Sequence, residues 1–123
     1  MLLIKAENNQ ELLKITNDYD IVIVQVGATW CKPCMAIKDD FFQFINDYKP
    51  GNSICVKIDY EDMENDDELQ EILDVNKIPY FFIFHRKNKI EQFQSSNVSF
   101  IENKIKNIIN DLTEKNFDIS DDF

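Results

Sequence analysis

The chain has 123 residues, enough for one domain with a core of its own, and 44% of them are hydrophobic against 29% charged. Its 23 acidic residues outnumber 13 basic ones, a net charge of −10 that weighs against nucleic acid and anionic membrane surfaces as partners. Three cysteines do not make a disulfide framework. Apart from the start Met1-Leu2-Leu3-Ile4 there is no signal-peptide apolar stretch, and no segment is long and apolar enough to span a membrane, so a cytoplasmic protein is expected.

In chain order, residues 2–5 read as a short first strand. Asn8 or Asn9 can cap a helix running to about Thr16, with Leu12 and Leu13 expected to face inward. A turn at 17–20 leads into the apolar run Ile21-Val22-Ile23-Val24-Gln25-Val26-Gly27, which has the composition of a buried strand. The next apolar residues, Ile37, Phe41, Phe44, Ile45 and Tyr48, fall on one helical face. Lys49-Pro50-Gly51-Asn52 breaks that helix, and residues 53–59 read as another strand. Strand, helix, strand, helix, strand implies parallel crossover units.

Residues 60–67 form an acidic connection, followed by a short helix over about 68–73. Ile78-Pro79 then introduces Tyr80-Phe81-Phe82-Ile83-Phe84, too apolar for a surface strand. Residues 86–89 make a polar turn, and 90–94 supply a hairpin partner. Ser99 and Glu102 fit a capping box that opens a helix with Ile101, Ile105, Ile108, Ile109 and Leu112 on one face. Residues 1–115 are therefore read as a single domain and 116–123 as a frayed acidic tail.

The chemistry concentrates in Ala28-Thr29-Trp30-Cys31-Lys32-Pro33-Cys34, where the buried strand ends and the helix begins. Two thiols three positions apart in the first turn of a helix can close a small ring. Cys31 lies against the unsatisfied N–H groups of the helix N-terminus, which favour its thiolate, and Pro33 suits a turn that needs no donor. These are the requirements of dithiol–disulfide exchange, with Cys31 as nucleophile and Cys34 as resolving thiol. A metal-binding CxxC is the rival, but beyond the pair there are only Cys55 and His85, so no metal site is expected. His85 reads as a rim residue and Cys55 as a small buried hydrophobe.

The ATWCKPC string, the strand before it, the Phe-containing helix after it and the later Ile78-Pro79 ahead of an apolar run together resemble the thioredoxin family, over roughly residues 2–112. The resemblance implies a thioredoxin-like α/β fold, a central mixed sheet of about five strands flanked by helices on both faces. It implies a cis bond before Pro79, opposite the dithiol, with the Ile78 backbone pairing to an extended substrate segment. Trp30 would be a partly exposed lip beside the thiols, and Lys32 and Pro33 would complete the contact surface. The activity implied is reduction of protein disulfides by a monomer with no bound cofactor, recharged by an NADPH-dependent thioredoxin reductase.

Several residues depart from the family pattern. Lys32 replaces the usual Gly and puts a cation beside Cys31. Gln25 occupies the place of a buried acid, Cys55 is expected to face it, Asp39 replaces a helix-kinking Pro, and Ser95-Ser96 stands where a Gly is usual. Gln cannot exchange a proton, so resolution by Cys34 is expected to be slow relative to attack by Cys31. These departures keep open a non-catalytic binding or scaffold module. An oxidase or isomerase of an oxidising compartment is the third reading.

Overall fold

Ten elements make up the computed structural model, which describes the backbone of residues 1–121 and side chains through residue 113. They are β1 (Leu3–Lys5), α1 (Asn9–Asp18), β2 (Ile21–Gly27), α2 (Lys32–Asp47), β3 (Ser53–Asp59), α3 (Tyr60–Glu64), α4 (Asp67–Ile72), β4 (Tyr80–His85), β5 (Asn88–Gln94) and α5 (Val98–Asp121). The strands form one mixed sheet in the order β1-β3-β2-β4-β5. β3 pairs parallel with both β1 and β2, while β4 runs antiparallel to β2 and β5 antiparallel to β4. No described helix is long and apolar enough to cross a membrane.

Because side chains alternate along a strand, β2 feeds two cores at once. Val22, Val24 and Val26 face a layer containing Leu12, Met63, Leu69 and Leu73. Ile21 and Ile23 face the opposite layer, with Ile37, Phe41 and Ile45 of α2 and Ile101, Ile105 and Ile109 of α5. Every residue of β2 is buried, as an apolar run between two helical layers requires. The hairpin between β4 and β5 turns at Arg86 and Lys87, both with positive φ (49° and 74°), the backbone a tight primed turn needs.

Three local expectations are corrected. Leu13 is 50% exposed, because Leu12, Ile15 and Thr16 occupy the inward face of α1 and Leu13 lies about a quarter turn away. The acidic connection at 60–67 is partly helical: α3 occupies Tyr60–Glu64, its Glu61 and Asp62 lying in the first turn where the helix dipole favours acids. The start of α5 is capped by Asn97, whose Oδ1 accepts from Phe100 N at 3.0 Å, and not by Ser99. Starting two residues earlier brings Val98 onto the core that Ile101 enters. The backbone of α5 is helical to Asp121; residues 122–123, and the side chains from 114 onward, lie outside the described residues, as does the tail expected over 116–123 in those respects.

One carboxylate ties the helices on the α1 side together. Asp66 accepts from Asn9 N at 2.8 Å and caps α4 through Leu69 N at 3.1 Å. These hydrogen bonds, that from Asn9 first, hold its pKa below the ordinary value. A depressed carboxyl contributes stability that is complete above the unfolded pKa and is lost as pH falls through the folded one. Asp66→Asn is therefore expected to lower the melting temperature by roughly 1–4 °C at neutral pH. The difference from wild type should close below about pH 4. A difference that is constant from neutral pH into acid would show that the charge plays no part.

Candidate active site

β2 ends at Gly27 and α2 begins at Lys32, so Ala28 to Cys31 form the short crossing between buried strand and helix. Cys31 is itself the N-cap of α2, with extended backbone angles (φ −89°, ψ 109°), and its Sγ accepts from Cys34 N at 3.2 Å. An amide donor aimed at sulfur at the positive end of a 16-residue helix stabilises negative charge there. Pro33 falls in the first turn, where its missing N–H leaves no bond unmade.

Cys31 and Cys34 are joined as a disulfide, their Cα atoms 5.3 Å apart. Both are nearly buried, at 6% and 4% exposure. The Ile78-Pro79 bond is cis, and the Ile78 carbonyl oxygen lies 3.9 Å from Cys31 Sγ. Trp30 is 61% exposed beside the pair. Its Nε1 donates to Glu61 Oε1 at 3.0 Å, and Tyr60 meets it edge-on with centroids 6.3 Å apart. Lys32 and Pro33 are exposed on the same turn. The structure thus gathers Trp30, Cys31, Lys32, Pro33, Cys34, Ile78 and Pro79 from one helix start and one strand entrance.

Gln25 is buried beneath this surface, at 6% exposure. It shares a cavity of about 100 Å³ with Gly27, Cys34, Asp39 and Lys57, among others. The expectation that Cys55 faces Gln25 is wrong by two residues. Gln25 registers with Lys57 on β3, whereas Cys55 registers with Ile23 and with Leu3 of β1. Cys55 and Lys57 point to the same face of β3, and the parallel pairing selects the second. Cys55 is fully buried in the apolar layer, and that burial pushes its thiol pKa well up. It is an inert packing residue.

Two other neighbours of the site were not anticipated, Tyr60 and Glu61, which lie on the unforeseen helix α3. The acids at its start were visible in the sequence, but nothing there joined them to Trp30. His85 is half-buried at the end of β4 and registers with Ile21, at the far end of β2 from the dithiol. Ser95 accepts from Asn97 N at 3.1 Å in the approach to α5. α2 runs without interruption through Asp39. Among the described residues no group of three His, Cys, Asp or Glu side chains could hold a metal ion.

A nearly buried cysteine pair at a helix N-terminus, faced by a backbone carbonyl and rimmed by an exposed Trp, defines a dithiol–disulfide oxidoreductase. The thioredoxin family model matches residues 2–111. Thioredoxin-1 of Schizosaccharomyces pombe is 30% identical over 102 residues, 83% of this chain and 94% of that protein. Thioredoxin of Gallus gallus is 32% identical over 89 residues, 72% of this chain and 80% of that protein. Among solved structures, mitochondrial thioredoxin 3 from Saccharomyces cerevisiae superposes with a TM-score of 0.74 at 23% identity, covering 85% of this chain and 94% of that one. Thioredoxin from Plasmodium falciparum gives 0.73 at 19% identity, covering 87% and 98%. At such identities these structures speak for the fold.

The chain belongs to the thioredoxin family, and its redox-active Cys31–Cys34 pair makes it a protein-disulfide reductase.

Proposed function

We propose that Cys31 attacks a substrate disulfide and Cys34 resolves the product, with Trp30, Lys32, Pro33, Ile78 and Pro79 as the surface that receives the substrate chain. The observation that carries this reading is the Ile78 carbonyl oxygen 3.9 Å from Cys31 Sγ. An extended segment pairing with the Ile78 backbone would lay its own disulfide across Cys31. The Cys31 thiolate bonds to one substrate sulfur and expels the other as a thiolate. The Cys34 thiolate then bonds to Cys31, the Cys31–substrate bond breaks, and the second substrate sulfur leaves and is protonated from solvent.

The enzyme is left oxidised and needs two electrons per cycle. An NADPH-dependent thioredoxin reductase is the partner we assign to supply them, with no cofactor held by this domain itself. The protein acts as a monomer in the cytoplasm, on disulfide-containing proteins and not on nucleic acid or membranes. The net charge of −10 supports that choice of partners.

The reading is tested by supplying purified protein with NADPH and a thioredoxin reductase, and following reduction of an accessible interchain protein disulfide. Steady NADPH consumption is the expected result. Turnover with dithiothreitol but none with NADPH would overturn the reductase partner alone. No turnover with either would promote the binding-module reading. A reduction potential for the pair close to that of strongly oxidising dithiols, in place of the reducing range, would favour an oxidase.

A further inference from the structure

Four strands have an end on the dithiol side of the sheet. β2 and β3 finish there, Gly27 in register with Asp59; β4 begins there and β5 finishes, Tyr80 lying opposite both Val26 and Gln94. The Ile78–Pro79 edge that leads into β4 therefore lies between two exposed aromatic rings. On the β3 side is Trp30, tied to α3 through Glu61; on the β5 side is Phe100, in the first turn of α5 and 50% exposed. We propose that Phe100, backed by Phe93, is a specificity-determining residue that receives an apolar side chain of the substrate, so that this protein prefers disulfides flanked by an aliphatic or aromatic residue. The proposal rests on the reading of the Ile78 backbone as the strip that a substrate segment pairs with.

The core does not require an apolar residue at position 100. α5 buries Ile101, Ile105 and Ile109, and Phe100 lies about 100° round the helix from Ile101. The residues three, four and seven positions on, Asn103, Lys104 and Asn107, are polar. This flank of α5 thus carries its large apolar side chain at the end that meets the Ile78–Pro79 edge. The ring is also held in place. Asn97 Oδ1 accepts from Phe100 N at 3.0 Å and Ser95 Oγ accepts from Asn97 N at 3.1 Å, which fixes the turn between β5 and α5. Phe93 meets the Phe100 ring at 6.1 Å with planes 73° apart, and itself stacks on buried Phe81. A row of rings runs from the core to the surface, and its outermost member is half exposed.

An extended segment seated on Ile78 can reach that ring. Phe93 lies opposite Phe81, a few residues along from Ile78 and one strand across, a separation on the order of 10 Å. Extended chain covers that distance in about three residues. Gln94, Ser95, Ser96 and Asn97, between the two rings in sequence, are polar, so Phe93 and Phe100 together form the apolar anchor on this side of the edge. A side chain laid on Phe100 takes apolar surface of both partners out of water. The contact is made before Cys31 attacks and is kept during attack, so it strengthens binding and leaves the bonds made and broken at the dithiol as they are. Such uniform binding is read in KM.

The test uses symmetric peptide disulfides, a Ser- and Gly-rich host peptide joined to its own copy through a central cysteine. The protein reduces them with dithiothreitol as the recharging thiol, and the rate of the reductant alone is subtracted. A single Leu is moved through the positions on either side of the cysteine. Wild type is expected to reduce the Leu peptide with kcat/KM about five- to tenfold above the host at one or two adjacent positions, the gain lying in KM. Phe100→Ala should abolish that preference and Phe100→Leu should keep most of it. Ile90→Ala, which removes an exposed apolar side chain toward the hairpin end of β5, should keep all of it. A flat scan in wild type, or a preference that survives in Phe100→Ala, overturns the proposal. With the host peptide still reduced, that result leaves the exchange reading of Cys31 and Cys34 standing; loss of reduction of host and Leu peptides alike overturns both.

Discussion

Cys31→Ser is expected to reduce the rate of protein-disulfide reduction to that of the added reductant alone, while Cys34→Ser accumulates a covalent adduct with the substrate. The asymmetry follows from the helix start. Cys31 is the N-cap, it receives the Cys34 amide at 3.2 Å, and the Ile78 carbonyl beside it marks where a substrate chain can lie. Cys34 sits one turn deeper, with its sulfur toward the cavity of Gln25 and Lys57. A serine hydroxyl is far less acidic than a thiol and forms no disulfide, so replacing the first sulfur stops the reaction before any bond forms. Replacing the second stops it after one bond has formed. Non-reducing electrophoresis of each variant with an interchain-disulfide substrate separates the two outcomes. Adducts on Cys31→Ser, with none on Cys34→Ser, would reverse the assignment. Equal turnover in wild type and Cys31→Ser would remove the pair from the reaction.

The dithiol was legible because the features around it are local. An apolar strand, a tight crossing and a Pro in the first helical turn lie within fourteen residues, and each restricts the backbone in a way that sequence spacing reports. The bounds of β2 and β3 were legible for the same reason, since apolar runs ended by Gly, Pro, Asn and Asp leave little freedom. Lys57 was not. Alternation shows that Cys55 and Lys57 share a face, but which of them meets Gln25 depends on how two strands far apart in sequence slide past each other. A slip of two residues keeps every apolar side chain on its own face, so the hydrophobic pattern cannot choose between the registers. Glu61 escaped for a different reason. α3 is five residues long, too short to show a helical period, and its hydrogen bond to Trp30 spans 31 positions of chain. Asn97 and Ser99 are both competent caps, and the choice fell to the burial of Val98.

The largest loss of stability from one substitution is expected at Phe81. Its side chain is fully buried in the layer between the sheet and α2 and α5. It lies 5.4 Å from the Phe41 ring of α2 and stacks on Phe93 of β5 at 5.2 Å, with planes 17° apart. It registers with Gln25 on β2, one residue beyond Tyr80, where β4 begins after Pro79. From the strand that follows the Ile78–Pro79 edge, one ring thus packs against both the dithiol helix and β5. Phe81→Ala removes that surface from the core and leaves a gap that three fixed elements cannot collapse into, a change of about 3–5 kcal/mol. Domains of this size are typically stable by about 5–15 kcal/mol, so the variant should remain folded at room temperature with little reserve. Its melting temperature should fall by about 10 °C or more. Phe100, half exposed and edge-on to Phe93 at 6.1 Å, is the matched control, and its replacement by Ala should change stability by less than about 1 kcal/mol. Urea unfolding of the two variants and wild type, compared by midpoint at constant slope, decides the matter. A loss at Phe81 no larger than that at Phe100 would mean that Phe41 and Phe93 close over the space, and that α2 is held against the sheet by other contacts.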